Sequence, residues 1–313
     1  MKCLCCYKPL KEGEIDYHKT CARRFFRTAV VPTLPYTRRE ISKLARVVIQ
    51  KQTTITGVQA KLSMDLTNDG QGNPLRLTIV GVWGRFILKP QTEQFECLPE
   101  IEDLTMHLAE IARIPTVPHA LIRFSDGELN YITRRIDRTE DGLKLPMEDM
   151  CQLSGKLTEQ KYLGSYEQIA ELIKRYSNAP ILDLANYWEQ VLFSWIVGNA
   201  DMHLKNFSLI SYTPHRYALA PAYDQVSTAI VMPEDTEELA LNLQGFKKKL
   251  MSFDFRHAMV DTGLDEKVAD RILSKFHRYR EDWFRCIDAS FISNQQKEEY
   301  KLLITRRLED LVG

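Results

Sequence analysis

The spacing of apolar positions changes character several times along the chain. In "YTRREISKLARVVIQKQ", Ile41, Leu44, Ala45 and Val48 fall on one face at helical spacing, so residues 22 to 52 read as a basic, mainly helical connector. The period then shortens to that of strands. "TTITGVQAKLSMDLT" alternates, "DGQGN" reads as a turn, and "LRLTIVGVWGRFILKP" carries β-rich runs. "LPEIEDLTMHLAEIAR" returns to a helical period, opened by Pro99 and acidic residues, and "HALIRFSDGELNYITRRIDR" goes back to strands around an Asp-Gly turn. From about residue 145 the chain reads as mostly helical, with "YWEQVLFSWIVG" apolar enough to be a buried helix. In the tail, Phe276, Tyr279, Trp283 and Phe284 recur at helical spacing and read as core packing. The pattern predicts an α+β chain of bilobal outline. Residues 1–50 form an N-terminal segment and connector, 51–138 a β-rich lobe with one inserted helix, and 139–313 a helical lobe.

Composition narrows the classes of function. With 313 residues, 44% of them hydrophobic and 27% charged, the chain can bury one large or two medium cores. Forty-two basic residues balance 42 acidic ones, so no global field favours nucleic acid or an anionic membrane, and direct nucleic-acid binding is not expected. No apolar run approaches the roughly 20 residues that span a bilayer, and the first residues lack a signal-peptide core. A cytoplasmic location without membrane attachment is the expectation.

The seven cysteines are unevenly distributed: four crowd the first 21 residues. In "CLCCYKPLKEGEIDYHKTC", Cys3 and Cys6 make a C-x-x-C pair, and His18 and Cys21 an H-x-x-C pair. Both spacings let a tight turn point two side chains at one metal ion, so the four residues are a candidate structural Zn2+ site without a catalytic role. Cys5 competes with Cys3 as a ligand, and free thiols near a terminus are the simpler reading.

Phosphoryl transfer from ATP needs a turn over the phosphates, a cation on them, a carboxylate beside the nucleophilic hydroxyl and oxygen ligands for magnesium. All occur here in that order. "TTITGVQAK" supplies a turn with a single glycine, Gly57. "FILKP" ends an apolar strand on Lys89, which needs an anionic partner if it points inward; Glu102 and Glu100 of the following helix are the candidates. "NADMHLKNF" places Asp201 and Asn206 at the D-x-x-x-x-N interval of a kinase catalytic loop, with His203 and Lys205 between them. Asp224, eighteen residues after Asn206, offers a second magnesium-binding group.

The ordered blocks "TTITGVQAKLSM", "FILKP", "LPEIEDLTMHLA", "RRIDR", "LPMEDMCQL", "GNADMHLKNFSLI", "LAPAYDQVSTAI" and "LALNLQGFKKKL" resemble those of the HipA-like serine/threonine kinases. These are the toxins of bacterial HipA/HipB toxin–antitoxin systems. The resemblance runs from about residue 50 to about 255 and implies a protein-kinase-like fold of the HipA type, with ATP and Mg2+ between the lobes. It implies that Lys89 binds ATP phosphates, that Asp201 is the catalytic acid-base residue, and that Asn206 and Asp224 hold magnesium. Thr54, Thr56, Gly57, Val58, Gln59 and Lys61 would belong to the phosphate loop, and Arg134, Arg135 and Ile136 to the hinge beside adenine. His203 and Lys205, counted with the nucleotide-binding residues, could contact the γ-phosphate, hydrogen-bond the loop or be solvated. Thr54 and Thr56 stand where the family carries autophosphorylated serines. The implied partners are a HipB-like DNA-binding antitoxin, a protein substrate such as an aminoacyl-tRNA synthetase and, because only about 50 residues precede the loop, a separate small HipS-like protein.

Two other classes stay open on the residues alone. A small-molecule kinase of the aminoglycoside or choline type shares the Asp-to-Asn interval, and a noncatalytic kinase shell could hold a partner. Glu148 and Asp149 of "LPMEDMCQL" read as supporting or helix-capping acids.

Overall fold

The computed structural model describes residues 1–41, 43–44, 61–67, 75–80 and 83–311. These divide into two compact units. The first comprises Met1–Asp103, Val117–Leu143 and Ala289–Phe291; the second comprises Leu104–Thr116, Lys144–Asp288 and Ile292–Gly313.

The first unit is built on an antiparallel sheet. Strands β1 (Leu62–Thr67), β2 (Arg76–Ile79), β3 (Phe86–Lys89), β4 (His119–Arg123) and β5 (Leu129–Arg134) are ordered β2-β1-β3-β5-β4. Leu62 and Met64 of β1 are buried opposite Leu88 and Phe86 of β3, which in turn faces β5 with Leu88 beside Ile132 and Lys89 beside Tyr131. The chain enters β3 through Gly84, where a Cβ would lie 2.5 Å from both Met64 O and Ser63 Oγ, so only glycine lets β3 close on β1.

The N-terminal segment covers both sheet edges. Leu4 O accepts from Leu121 N of β4 at 3.0 Å, while Thr33 exchanges two backbone hydrogen bonds with the β2 edge at Leu75 and Leu77. Unpaired strand edges invite association, and this wrapping removes that hazard from part of each edge.

The long helical connector expected over residues 22 to 52 is not what the described part shows. Helix α1 spans Lys19–Phe26 and stops at Arg27, whose φ of 62° is left-handed. Residues 27–37 are irregular, and helix resumes only at residue 38. Pro32 and Pro35 explain the break, because each disfavours helix in the residue before it and donates no hydrogen bond.

Helix α2 (Leu98–Ile111) gives its first turns to the first unit and the rest to the second. The second unit is mainly helical. It contains α3 (Met150–Leu153), α4 (Tyr166–Tyr176), α5 (Pro180–Ile196), α6 (Thr228–Val231), α7 (Ser252–Asp261), α8 (Glu266–Lys275), α9 (Arg280–Ala289) and α10 (Asn294–Asp310). Every residue of α5 from Gln190 to Ile196 is buried, as its apolar sequence requires. Phe276, Tyr279 and Trp283 are core residues, and Phe284 is half-exposed. A three-stranded antiparallel sheet of β6 (Met147–Asp149), β7 (Ser208–Thr213) and β8 (Arg216–Leu219), ordered β6-β7-β8, had no counterpart in the sequence pattern.

Candidate functional site

In the first unit, β3 ends on Lys89, which is 5% exposed, and its Nζ donates to Glu102 Oε1 of α2 at 2.5 Å. The Tyr131 ring flanks the ammonium, 5.3 Å from Nζ to centroid. Two charges removed from water hold together only with close geometry, so the pair fixes strand end and helix with respect to each other. The partner is Glu102; the enclosed Oε2 of Glu100 has no hydrogen-bond partner among the described residues, and burial pushes its pKa up to about 7. The next residue, Asp103, is fully buried and accepts from Tyr7 Oη at 2.7 Å, with His119 Nδ1 at 2.6 Å from its other oxygen.

Lys61 is exposed at the head of β1. Thr54, Thr56, Gly57, Val58 and Gln59 lie outside the described residues. Arg134 closes β5, and the Arg135 guanidinium forks onto Asp137 at 2.8 and 2.7 Å, while Ile136 is half-buried. Arg27, Arg85, Arg134, Arg135 and Arg138 line a cavity of about 90 Å³ in this unit.

In the second unit, α5 ends at Ile196, and Gly198, two residues on, has a φ of +69°. A Cβ there would meet Leu303 Cδ2 at 2.7 Å and Ala229 Cβ at 2.8 Å, so the turn that launches the next loop needs glycine for both conformation and space. Asn199 then takes over. Its buried amide accepts from Asp201 N at 3.1 Å and donates to Gln225 Oε1 at 3.1 Å, tying the start of the loop to the residue beside Asp224. His203 N donates to Asp201 O, and a short 3-10 turn, Leu204–Asn206, completes the loop.

The side chains of this loop are held unequally. Asp201 Oδ1 accepts from Tyr162 Oη at 2.5 Å, and the Tyr162 ring packs edge-on against His203 with centroids 5.0 Å apart. Lys205 Nζ is anchored 2.7 Å from Asp149 Oδ2, and Asp149 also caps α3; Glu148 is exposed on β6. His203 is 6% exposed, and burial pulls its pKa down to about 4 against the upward pull of Asp201 and Asp224. The imidazole is therefore neutral at pH 7, and its Nδ1 has no partner among the described residues. Asn206 is 4% exposed, and its Oδ1 likewise has none. Asp224 adopts φ 60°, a left-handed conformation uncommon outside glycine and one that clusters at functional positions.

A buried amide oxygen without a donor is the kind of group that a hard cation completes. With Asp224 as the carboxylate, the pair Asn206 and Asp224 has the donor chemistry for Mg2+. Asn199, Gln225 and Tyr162 were not singled out from the sequence. Only the apolar helix before Asn199, and the short interval from Asn199 to Asp201, hinted at a residue that ties the loop down. Elsewhere, Cys3, Cys6, His18 and Cys21 come together with one ligand atom each within 4.8 Å of all the others. Among the described residues, no helix is long and apolar enough to cross a membrane.

Comparison with known proteins follows the same residues. Residues 53–283 match the family model of the HipA-like C-terminal domain. Over 245 residues the chain is 31% identical to "Putative kinase Y4dM" of Sinorhizobium fredii, covering 74% of this chain and 59% of that protein. It is 29% identical over 251 residues to a "Putative kinase" of Haemophilus influenzae, covering 72% and 68% respectively. The chain thus spans somewhat over half the length of the first relative. Among solved structures it superposes on the HipA chain from the Shewanella oneidensis HipA, HipB and operator DNA complex with a TM-score of 0.68 at 20% identity, covering 85% of this chain and 70% of that one. The Helicobacter pylori proinflammatory kinase CtkA gives a TM-score of 0.57 at 13% identity, covering 80% of this chain and 93% of that one. The fold is the kinase-like α+β fold of these neighbours, and the chain belongs to the HipA-like kinase family.

Proposed function

We propose that the chain is an ATP- and Mg2+-dependent serine/threonine protein kinase that acts as the toxin of a HipA-type toxin–antitoxin system. The observation that carries this reading is the buried Lys89–Glu102 pair at 2.5 Å. A strand-end lysine locked by a helix glutamate is what a protein kinase uses to present an ammonium to nucleotide phosphates. A shell freed from catalysis would gain nothing from burying that charge.

In this reading Asp201 orients the acceptor hydroxyl and takes its proton on a carboxylate oxygen as the phosphoryl group transfers. Lys89 neutralises phosphate charge, and Asn206 and Asp224 supply the oxygen donors that hold the metal ion. When bound there, magnesium would supply positive charge to offset the negative charge that develops during phosphoryl transfer. Lys205, anchored by Asp149, stiffens the loop between Asp201 and Asn206. Arg134, Arg135 and Ile136 would border the adenine, and Lys61 with the preceding loop would cover the phosphates.

The substrate class we propose is a translation component such as an aminoacyl-tRNA synthetase, with self-phosphorylation at Thr54 and Thr56. The Shewanella neighbour is a complex with HipB and operator DNA, which supports a HipB-like antitoxin as partner here; a small HipS-like protein, implied by the family resemblance alone, is a second proposed partner. The test is transfer from γ-labelled ATP to the chain itself and to cell lysate, by wild type beside Asp201→Asn. Wild type is expected to label protein and the variant to lose at least about a thousandfold in rate. Wild type that labels only a metabolite panel, or a variant as active as wild type, overturns the reading.

A further inference from the structure

We propose that residues 1–26 form a zinc module in which Cys3, Cys6, His18 and Cys21 bind one Zn2+ in a closed tetrahedral site. The geometry is already that of a ligand set. Zn–S bonds of about 2.3 Å and Zn–N bonds of about 2.0–2.1 Å put neighbouring ligand atoms about 3.5–3.8 Å apart. His18 Nδ1 stands 3.4 Å from Cys6 Sγ and 3.8 Å from Cys21 Sγ, and all four ligand atoms lie within 4.8 Å of one another.

Two backbone devices aim the pairs. The first is a tight hairpin. Tyr7 N donates to Cys3 O and Cys3 N to Lys8 O, both at 2.9 Å; Tyr7 takes a left-handed φ of 60°, and Lys2 bridges Pro9. Cys3 and Cys6 therefore sit on one turn. The second is the start of α1, where His18 is the N-cap residue and Cys21 lies in the first helical turn.

The imidazole is preset for a metal. His18 Nε2 is 2.9 Å from Pro9 O, and a carbonyl can only accept, so Nε2 carries the proton. Nδ1 is left with its lone pair facing the sulfurs. A ligating histidine whose other nitrogen donates to a backbone carbonyl is the usual support of a zinc site. Cys5 has a different role: its Sγ accepts from Arg24 Nη2 at 3.6 Å and it stands outside the ligand set, which assigns the fourth position to Cys3.

Three sulfurs and one imidazole nitrogen leave no open position, so the ion would be structural and its donor set suits zinc over hard cations. Binding releases the thiol protons to solvent as hydrated Zn2+ sheds water. Such a staple suits a short segment whose own core, apart from the ligand Cys3, is Leu4, Cys5, Tyr7, Tyr17, Ala22, Phe25 and Phe26.

The test uses the untagged full chain purified without chelator. Elemental analysis is expected to return one zinc per chain. Replacement by Co2+ is expected to give tetrahedral ligand-field bands and sulfur-to-cobalt charge transfer. Cys21→Ser and His18→Ala should lower occupancy more than tenfold, whereas His18→Cys, which restores a donor, and Cys5→Ser should keep the metal. Reduced wild-type protein that holds no zinc and takes up no Co2+ overturns the proposal. So does a Cys3–Cys6 disulfide in freshly purified protein, or loss of metal from Cys5→Ser equal to that from Cys3→Ser.

Discussion

Lys89 in the first unit and Asn206 in the second are both polar and both nearly inaccessible to solvent; Lys89 ends an apolar strand, and Asn206 ends the short 3-10 turn of the loop that follows α5. Their surroundings are opposites. Lys89 Nζ has a carboxylate at 2.5 Å, whereas Asn206 Oδ1 and the nearby His203 Nδ1 have no hydrogen-bond partner among the described residues. A buried charge cannot wait for a ligand, because desolvation without a partner costs too much; a neutral amide oxygen can. The first unit therefore carries its partner within the chain, and the second keeps an acceptor in reserve.

The contrast predicts unequal costs of truncation. Lys89→Ala removes the ammonium that offsets the buried Glu102 carboxylate and is expected to destabilise the protein by about 3–5 kcal/mol. Lys89→Met combined with Glu102→Leu removes both charges and should restore most of that loss without restoring phosphoryl transfer. Asn206→Ala deletes an amide oxygen that has no partner among the described residues and is expected to cost under about 1 kcal/mol. Denaturant unfolding of the four proteins checks this. Equal losses for Lys89→Ala and Asn206→Ala would erase the distinction between the two regions.

The pH dependence of stability sharpens the same distinction. Burial holds His203 at a pKa of about 4, below its unfolded value of about 6.5, so the native state disfavours the imidazolium. Stability from this residue is fully present above pH 6.5 and is lost as the pH falls through 6.5 towards 4, up to about 3 kcal/mol. Glu100 has the opposite sign. Its pKa, raised to about 7 by burial, makes its contribution complete below the usual carboxylate range and lost as the pH rises through 7. His203→Gln should flatten the acid limb between pH 6.5 and 4.5, and Glu100→Gln should remove the opposing loss that runs from the usual carboxylate range up to about pH 7, in urea titrations at each pH. An acid limb unchanged by His203→Gln would refute the neutral, enclosed imidazole.

Strand alternation in "LRLTIVGVWGRFILKP", the helical period of "LPEIEDLTMHLAEIAR" and the ordered blocks made the fold and family legible, since these depend on local period and residue type. What escaped the sequence was phase and distance. Glu100 and Glu102 both open the same helix, and only its rotation against β3 selects Glu102 for Lys89. Ile41 and Leu44 do lie on helix, which the described residues show over 38–41 and 43–44, whereas Pro32 and Pro35 hold the stronger signal over the irregular residues 27–37. The β7–β8 hairpin is too short to register as a period amid helices. Tyr162 lies 39 positions before Asp201, in a stretch without periodicity, so nothing local connects them.

That contact gives the smallest expected effect and the finest test. Tyr162 Oη donates to Asp201 Oδ1 at 2.5 Å, the type of hydrogen bond an acceptor hydroxyl would make to a catalytic carboxylate. If Asp201 is the proton acceptor, the phenol competes with the substrate hydroxyl for it. Breaking a partly exposed bond of this kind is worth about 1 kcal/mol, which corresponds to about fivefold. Tyr162→Phe keeps the ring against His203 and removes only the donor. It is expected to lower KM for the protein substrate about fivefold with kcat little changed, whereas a phenol that merely orients Asp201 would lose kcat on the same change. Steady-state kinetics on the two proteins separates the outcomes, and a fall in kcat would make Tyr162 a positioning residue that holds Asp201 as firmly as Glu102 holds Lys89.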